Sequence, residues 1–309
     1  MTNAPTIADA KGQTARDDLK KRAIPHMVLS CTGEQSMTPA PTSTPHRAPE
    51  VDASNRFSVS GNAIVTGGTG TLGLAVCHAL LEHGLSGLAV FDVNAAQSEI
   101  HAQSLRSRFP SRTIVVFQVD VTDEIAVENS TKAAAETLGS IDHLLCFSGI
   151  VGCVNAIDMT PAQWRRVMDV NTTGSFFCAQ AAAKRMVEQK RGGSITFTAS
   201  ISAHRVNYPQ PQAAYNVSKA ALITLKNCLA AEWARYGIRT NSISPGYMDT
   251  ILNEGDGIAA ARNVWAERNP TGRLGVPSEL TGTAVLLASA AGSYINGTDI
   301  VVDGGGLVF

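Results

Sequence analysis

The sequence predicts an α/β fold: a mostly parallel, doubly wound sheet forming a single domain over residues 56–309. Three observations carry this. Short apolar runs alternate with segments of helical periodicity from Phe57 to the C-terminus. The first run closes on a cluster of glycines that leads directly into a helix. Nothing interrupts the alternation, and no internal repeat divides it. Strands buried on both faces read as continuous apolar runs, and right-handed crossovers wind the helices onto both sides of the sheet.

Taken in order, Gly61 to Thr66 (GNAIVT) is the first buried strand. Leu72 to His83 has apolar residues at helical spacing, and Gly84 stops it. Gly87 to Asp92 (GLAVFD) is the second strand, followed by a helix over Ala95 to Phe109. Thr113 to Val119 is the third strand and Glu124 to Leu138 its helix. His143 to Phe147 (HLLCF) is the fourth strand. One long helix is expected from Pro161 to about Lys190, then a strand from Ser194 to Ala199. A second long helix spans Ala213 to Tyr236, and Ile238 to Ile243 returns to the sheet. A looser region, Asp249 to about Val276, precedes a helix over Ser278 to Ser289 and a last strand, Asp299 to Val302.

Residues 1–55 read differently. Six of the 13 prolines fall there among Thr, Ser and Ala. Such a segment buries too little apolar surface to offset its ordering entropy, so it is expected to be disordered or loosely draped. An amphipathic patch, Ala23 to Leu29, is either a docking element or part of a plain tail. Lys11, Arg16, Asp17 and Asp18 argue against a secretory signal and disfavour a transit peptide, which points to the cytoplasm.

With 25 basic and 26 acidic residues the chain has neither a nucleic-acid footprint nor an electrostatic membrane anchor. No apolar stretch reaches the roughly 18 residues of a membrane span. The six cysteines, at 31, 77, 146, 153, 178 and 228, show no metal-ligand spacing, so no metal site is expected.

The turn after the first strand reads Gly67-Gly68-Thr69-Gly70-Thr71-Leu72-Gly73. Glycines let backbone approach a pyrophosphate, whose charge is met by amides at the helix N-terminus. Between a strand and a helix this pattern predicts a dinucleotide site of Rossmann type. Asp92, ending the second strand, is placed to accept from both ribose hydroxyls of the adenosine half. It also repels a 2′-phosphate by roughly 4 kcal/mol for a unit pair near ~4 Å. NAD is therefore favoured, with NADP possible. Asp120, ending the third strand, either meets the adenine amino group or caps the next helix.

Tyr215 and Lys219 stand four residues apart on one helix and so share a face. An ammonium within about 4 Å lowers a phenol by about three pKa units, making tyrosine a usable acid–base near neutrality.

Together with Val170-Asn171-Thr172-Thr173-Gly174, the serine-bearing strand end and Ser244-Pro245-Gly246, these motifs resemble the compact, single-domain short-chain dehydrogenases/reductases. The resemblance covers about Phe57 to Phe309. It implies that Ser200 polarises the substrate carbonyl and Tyr215 passes the proton. It implies that Lys219 holds the nicotinamide ribose, and that Asn171 anchors a water in the proton relay. Val121, Ser148, Gly149, Pro245, Gly246, Met248 and Thr250 would border the coenzyme, and Tyr247 the nicotinamide and substrate. Two departures stand out: Thr71 replaces the middle glycine of that subgroup's loop, and Phe147-Ser148-Gly149 replaces the usual Asn-Ala-Gly.

Ser200 and Ser202 compete for the serine role; the common spacing to tyrosine selects Ser202, alignment to the strand end selects Ser200. The stretch from Ser200 to Gln210 is similar to a branch of sorbose reductases, mannitol and D-arabinitol 2-dehydrogenases and xylulose reductases. On this basis Ser200 is preferred. His204, Asn207 and Gln210 would then hydrogen-bond a polyhydroxylated substrate, with His204 equally readable as a surface residue. The segment from Ile251 to Pro270 is a candidate lid, with Trp265 shielding the site or packing the lid. The expected reaction is reversible interconversion of a polyol and its ketose. The rivals are a stereoselective carbonyl reductase of non-sugar ketones and a catalytically silent dinucleotide sensor. The resemblance also implies a homotetramer or homodimer paired through the two long helices.

Overall fold

A computed structural model describes residues 25–39, except 32 and 34, and 55–309, except 251, 252 and 254. Seven parallel strands form one sheet: β1 (Asn62–Thr66), β2 (Gly87–Asp92), β3 (Thr113–Gln118), β4 (His143–Cys146), β5 (Gly193–Thr198), β6 (Ile238–Pro245) and β7 (Asp299–Val302). Their spatial order is β3-β2-β1-β4-β5-β6-β7. The direction of winding reverses between β1 and β4, and ligands of such sheets bind outside the strand C-termini at that point.

Helices α1 (Thr71–Glu82), α2 (Ala95–Arg108) and α8 (Ser278–Ala288) cover one face. Helices α3 (Glu124–Leu138), α5 (Gly174–Gln189) and α6 (Ala213–Trp233) cover the other. The alternation within β1 and β2 shows why these strands are apolar throughout. Ala63, Val65, Leu88 and Val90 enter the first core with Leu80 and Leu280; Ile64, Ala89 and Phe91 enter the second with Val127, Met186 and Leu229. No helix among the described residues is long and apolar enough to cross a membrane.

Two expectations require correction. The long helix from Pro161 is interrupted: α4 (Pro161–Met168) passes through a π-turn at Asp169–Thr173 before α5 begins. Thr160 and Gln163 form a capping box that starts α4, and Pro161 sits where its missing N–H is harmless. The π-turn adds a residue to one turn and turns Asn171 fully inward. Apolar periodicity does not register a single extra residue. The looser region after Asp249 contains a helix of its own, α7 (Ala259–Glu267), which buries Trp265.

Most of residues 1–55 lie outside the described residues, including Ala23 and Ile24 of the amphipathic patch. Its described part, with Met27, Val28 and Leu29, is exposed and not docked. Further on, the Met37 carbonyl lies against Gly237 at the start of β6.

Gly174 shows how closely the start of α5 seats against the loop after β3. A Cβ there would stand 2.6 Å from Val121 Cγ2 and 3.0 Å from the Val121 carbonyl. Overpacking of this kind costs roughly 1–3 kcal/mol. Gly174→Ala is therefore expected to lower the melting temperature by several degrees, about 2–4 °C per kcal/mol for a domain of this size, read by calorimetry.

Candidate active site

The strand C-termini open into one cleft of about 1080 Å³. Its first wall is the loop from β1 to α1. Gly67 adopts φ +61°, and a Cβ on it would reach the Ser148 amide at 2.6 Å. A Cβ on Gly73 would meet the Gly67 carbonyl at 2.3 Å, so the third residue of α1 must lack one. Gly70 is the N-cap of α1, and no side chain caps it. The first-turn amides are thus left to an anion, the arrangement helix N-termini offer to phosphates. Gly67, Thr69, Gly70, Thr71, Leu72 and Gly73 all line the cleft, and the cradle fits a dinucleotide pyrophosphate.

Asp92 borders the same wall. Its Oδ2 accepts from the Thr69 amide (3.3 Å) and hydroxyl (2.5 Å), and its Oδ1 from the Asn94 amide (3.3 Å). Asp120 accepts at Oδ1 from the amide and hydroxyl of Thr122 (2.9 and 2.7 Å), and these bonds hold its carboxyl below the usual range. The cap of α3 is Asp123, which accepts from the Ala126 amide, so the helix-cap alternative for Asp120 is set aside. Val121, Ser148 and Gly149 complete this end of the cleft. Pro245, Gly246, Tyr247, Met248 and Thr250 line it beyond β6.

At its centre, Tyr215 and Lys219 occupy the first two turns of α6, with Lys219 Nζ 5.7 Å from the Tyr215 ring centroid. Nζ donates to the Thr198 carbonyl at 2.6 Å. Asn171 Oδ1 accepts from the Ile150 amide (2.8 Å), while Nδ2 donates to the Ile150 carbonyl and to Ser218 Oγ (both 3.0 Å). Ser218 in turn donates to the Tyr215 carbonyl (2.8 Å). Ser218 and Thr198 were not singled out from the sequence. Ser218 lies inside the Tyr-Asn-Val-Ser-Lys motif, but only the π-turn reveals its partner. Gln212 and Cys153 were missed as well; both line the cleft, with Gln212 Nε2 3.1 Å from Cys153 Sγ.

The electrostatics overturn one expectation. Burial pushes the Tyr215 phenol above its ordinary value, opposed by a hydrogen bond with Ser200 and reinforced by the nearby Tyr247. Lys219 does not pull it down. Burial lowers Lys219 itself from 10.5 to about 8, and its Nζ is directed at the Thr198 carbonyl. Helical spacing places the two side chains on one face but does not say where the ammonium points.

Both serines line the cleft. Ser200 Oγ donates to Ser202 Oγ (3.0 Å) and accepts from the Ser202 amide (3.1 Å), and Ser200 is the serine near enough to Tyr215 to lower its phenol. On the opposite wall, Tyr247 Oη accepts from Asn207 Nδ2 (2.9 Å) and Gln210 Nε2 (3.1 Å). Trp265 stacks on Tyr247 with ring centroids 4.1 Å apart and donates from Nε1 to Gln210 Oε1 (3.1 Å). His204 is a correction: it does not line the cleft, because its Nε2 is engaged 2.8 Å from Asp299 Oδ2 and 3.2 Å from Ser244 Oγ.

A doubly wound sheet with a phosphate-fitting glycine cradle, an acid at the end of β2 lining the cleft and a buried Ser–Tyr–Lys group defines a dinucleotide-dependent oxidoreductase. A family model described as enoyl-(acyl carrier protein) reductase matches residues 68–306. A probable NADP-dependent mannitol dehydrogenase of Yarrowia lipolytica is 35% identical, covering 90% of this chain and 99% of its own. A sorbose reductase of Schizosaccharomyces pombe is 36% identical over 81% and 97%. The crystal structure of a short-chain type dehydrogenase/reductase from Mycobacterium marinum superposes with a TM-score of 0.78 at 38% identity, covering 82% of this chain and 98% of that one. The chain belongs to the short-chain dehydrogenase/reductase family, nicotinamide-dinucleotide enzymes that act on alcohol and carbonyl groups.

Lys219 gives a pH signature. Between about pH 8 and 10.5 the unfolded chain holds a proton at this position that the folded chain releases, so stability from this group rises with pH across that window. The full effect is on the order of 3 kcal/mol. Lys219→Met is expected to flatten the rise, measured as urea midpoints for both proteins across the window.

Proposed function

We propose that the enzyme interconverts a polyol and its ketose by reversible hydride transfer. A nicotinamide coenzyme, when bound, would supply the hydride in reduction and accept it in oxidation. In the reducing direction Ser200 donates a hydrogen bond to the carbonyl oxygen, and Tyr215 gives its proton to that oxygen as negative charge develops there. In the oxidising direction both transfers reverse. Lys219 holds the ribose end of the coenzyme, and Asn171 orders the proton path behind the tyrosine. Glycine-loop residues with Asp92, Asp120 and the Pro245–Thr250 turn cradle the rest of it.

One observation carries the substrate reading. Asn207 Oδ1 is buried and without a hydrogen-bond partner. Beside it, Tyr247 Oη already accepts two hydrogen bonds, which leaves its own proton to give. An acceptor and a donor side by side suit a hydroxyl, which both gives and takes. Such a wall rejects analogues that leave its polar groups unpaired. The names of the mannitol and sorbose relatives support the same reading. The stacked Tyr247 and Trp265 favour the second reading, an apolar or aromatic ketone lying against the rings.

A screen of pentuloses, hexuloses, their polyols and simple aromatic ketones, followed by NADH and NADPH absorbance, tests this. Ketoses should turn over, and Tyr215→Phe should abolish turnover while keeping coenzyme affinity. Asn207→Leu should lower kcat/KM for the ketose about 10–100-fold, as expected for a lost buried hydrogen bond. Activity confined to aromatic ketones would select the second reading.

For the coenzyme we favour NAD, because a carboxylate at the end of β2, lining the cleft beside the glycine loop, would repel a 2′-phosphate. Asp92→Ala is expected to shift the ratio of NADPH to NADH affinity towards NADPH by at least tenfold, measured by fluorescence titration. An unchanged ratio would refute the charge argument. We also propose assembly as a homotetramer or homodimer, supported by the exposed apolar surface of Tyr294, Val308 and Phe309, and separately a cytoplasmic location.

A further inference from the structure

Asp299 on β7 is a buried carboxylate outside the cleft, its side chain 10% exposed. Three donors converge on it. Ser242 Oγ donates at 2.5 Å from the paired position on β6, and Ser244 Oγ lies 3.0 and 2.8 Å from the two carboxylate oxygens. The third is His204 Nε2 at 2.8 Å. A carboxylate only accepts, so the His204 proton must sit on Nε2. Lys226 on α6 is nearby, but its Nζ is occupied by the Gly297 carbonyl (2.6 Å) and Asn227 Oδ1 (2.7 Å). Among the described residues the hydrogen-bond partner of Asp299 from outside the β6–β7 pair is therefore His204.

His204 stands where this matters. Its amide closes the turn Ile201–Ala203 on the Ile201 carbonyl, directly after Ser200. The chain then runs past Asn207 to Gln210, the residues that meet Tyr247. Between them Val206 and Tyr208 are exposed at 83% and 59%, so apolar burial does not hold this stretch down. Polar ties do: Asn216 Nδ2 bonds the carbonyls of Ser202 and Arg205, Arg205 reaches the Phe309 carbonyl, and His204 reaches Asp299.

We propose that His204 and Asp299 are a positioning pair, through which one carboxylate on β7 sets both the serine turn at Ser200 and the polar wall at Asn207 and Gln210. His204 thus acts through other residues and not on substrate. The proposal rests on the polyol–ketose reading for its catalytic consequence, but not for its structural one.

Two measurements on the full chain test it. Hydrogen exchange by mass spectrometry, without substrate or coenzyme, should show peptides covering Ser200 to Gln210 exchanging at least tenfold faster in His204→Ala than in wild type. The peptides of β1 and α1 should be unchanged. In ketose reduction, His204→Ala and Asp299→Asn should each raise KM and lower kcat for a combined loss of about tenfold or more, with NADH affinity within twofold. His204→Gln, whose amide can still donate to Asp299, should recover most of the loss. The double variant should be no worse than the poorer single one, as for residues acting through one contact. Unchanged exchange in His204→Ala, or losses that simply add in the double variant, would overturn the pair. Absence of ketose turnover in the wild-type protein would instead overturn the polyol reading and leave hydrogen exchange to decide the pair.

Discussion

The hydrogen bond from Lys219 Nζ to the Thr198 carbonyl is the interaction on which the arrangement of the site depends. It joins the second turn of α6 to the last residue of β5. Tyr215, one turn earlier on the helix, is thereby brought beside Ser200, two residues beyond the strand. Gly149 closes the same corner: a Cβ on it would lie 3.4 Å from Asn171 Oδ1 and 3.6 Å from Lys219 Nζ. An ammonium so deeply placed stays protonated only at some cost, which burial makes visible by lowering it to about 8. Among the described residues this carbonyl is the charge's one hydrogen-bond acceptor.

Much of this was legible in the sequence for physical reasons. A parallel strand covered on both faces reads as a near-continuous apolar run, and β1 to β4 stand out in this way, whereas β5 and β6 carry several polar residues. The glycine loop was legible because only a residue without Cβ fits at Gly67 and Gly73. Tyr215 and Lys219 were legible because helical spacing fixes a shared face. What the sequence concealed depends on distances between elements remote along the chain. Nothing local marks the π-turn that aims Asn171 at Ile150 and Ser218. His204 reads as a polar group near the substrate until Asp299, 95 residues later, is seen to hold it.

The fate of the phenol illustrates the same limit. Two side chains on one helical face need not interact through charge, because a lysine has four rotatable carbons and turns to the strongest acceptor in reach. Here that acceptor is a main-chain carbonyl, and the tyrosine is governed by burial and by Ser200. A phenol above its ordinary value holds its proton more tightly than free tyrosine, and its phenolate is the stronger base. The resting protein therefore keeps Tyr215 protonated at neutral pH, the form from which a carbonyl oxygen receives its proton.

The Tyr247–Trp265 stack has an optical consequence. The chain contains three tryptophans, and Trp265 alone among them lines the cleft, its indole N–H bound to Gln210. Indole emission responds to hydrogen bonding at the nitrogen and to the polarity around the ring. Occupation of the wall would disturb both, so the protein carries its own emission probe of substrate arrival, excited at wavelengths where sugars do not absorb.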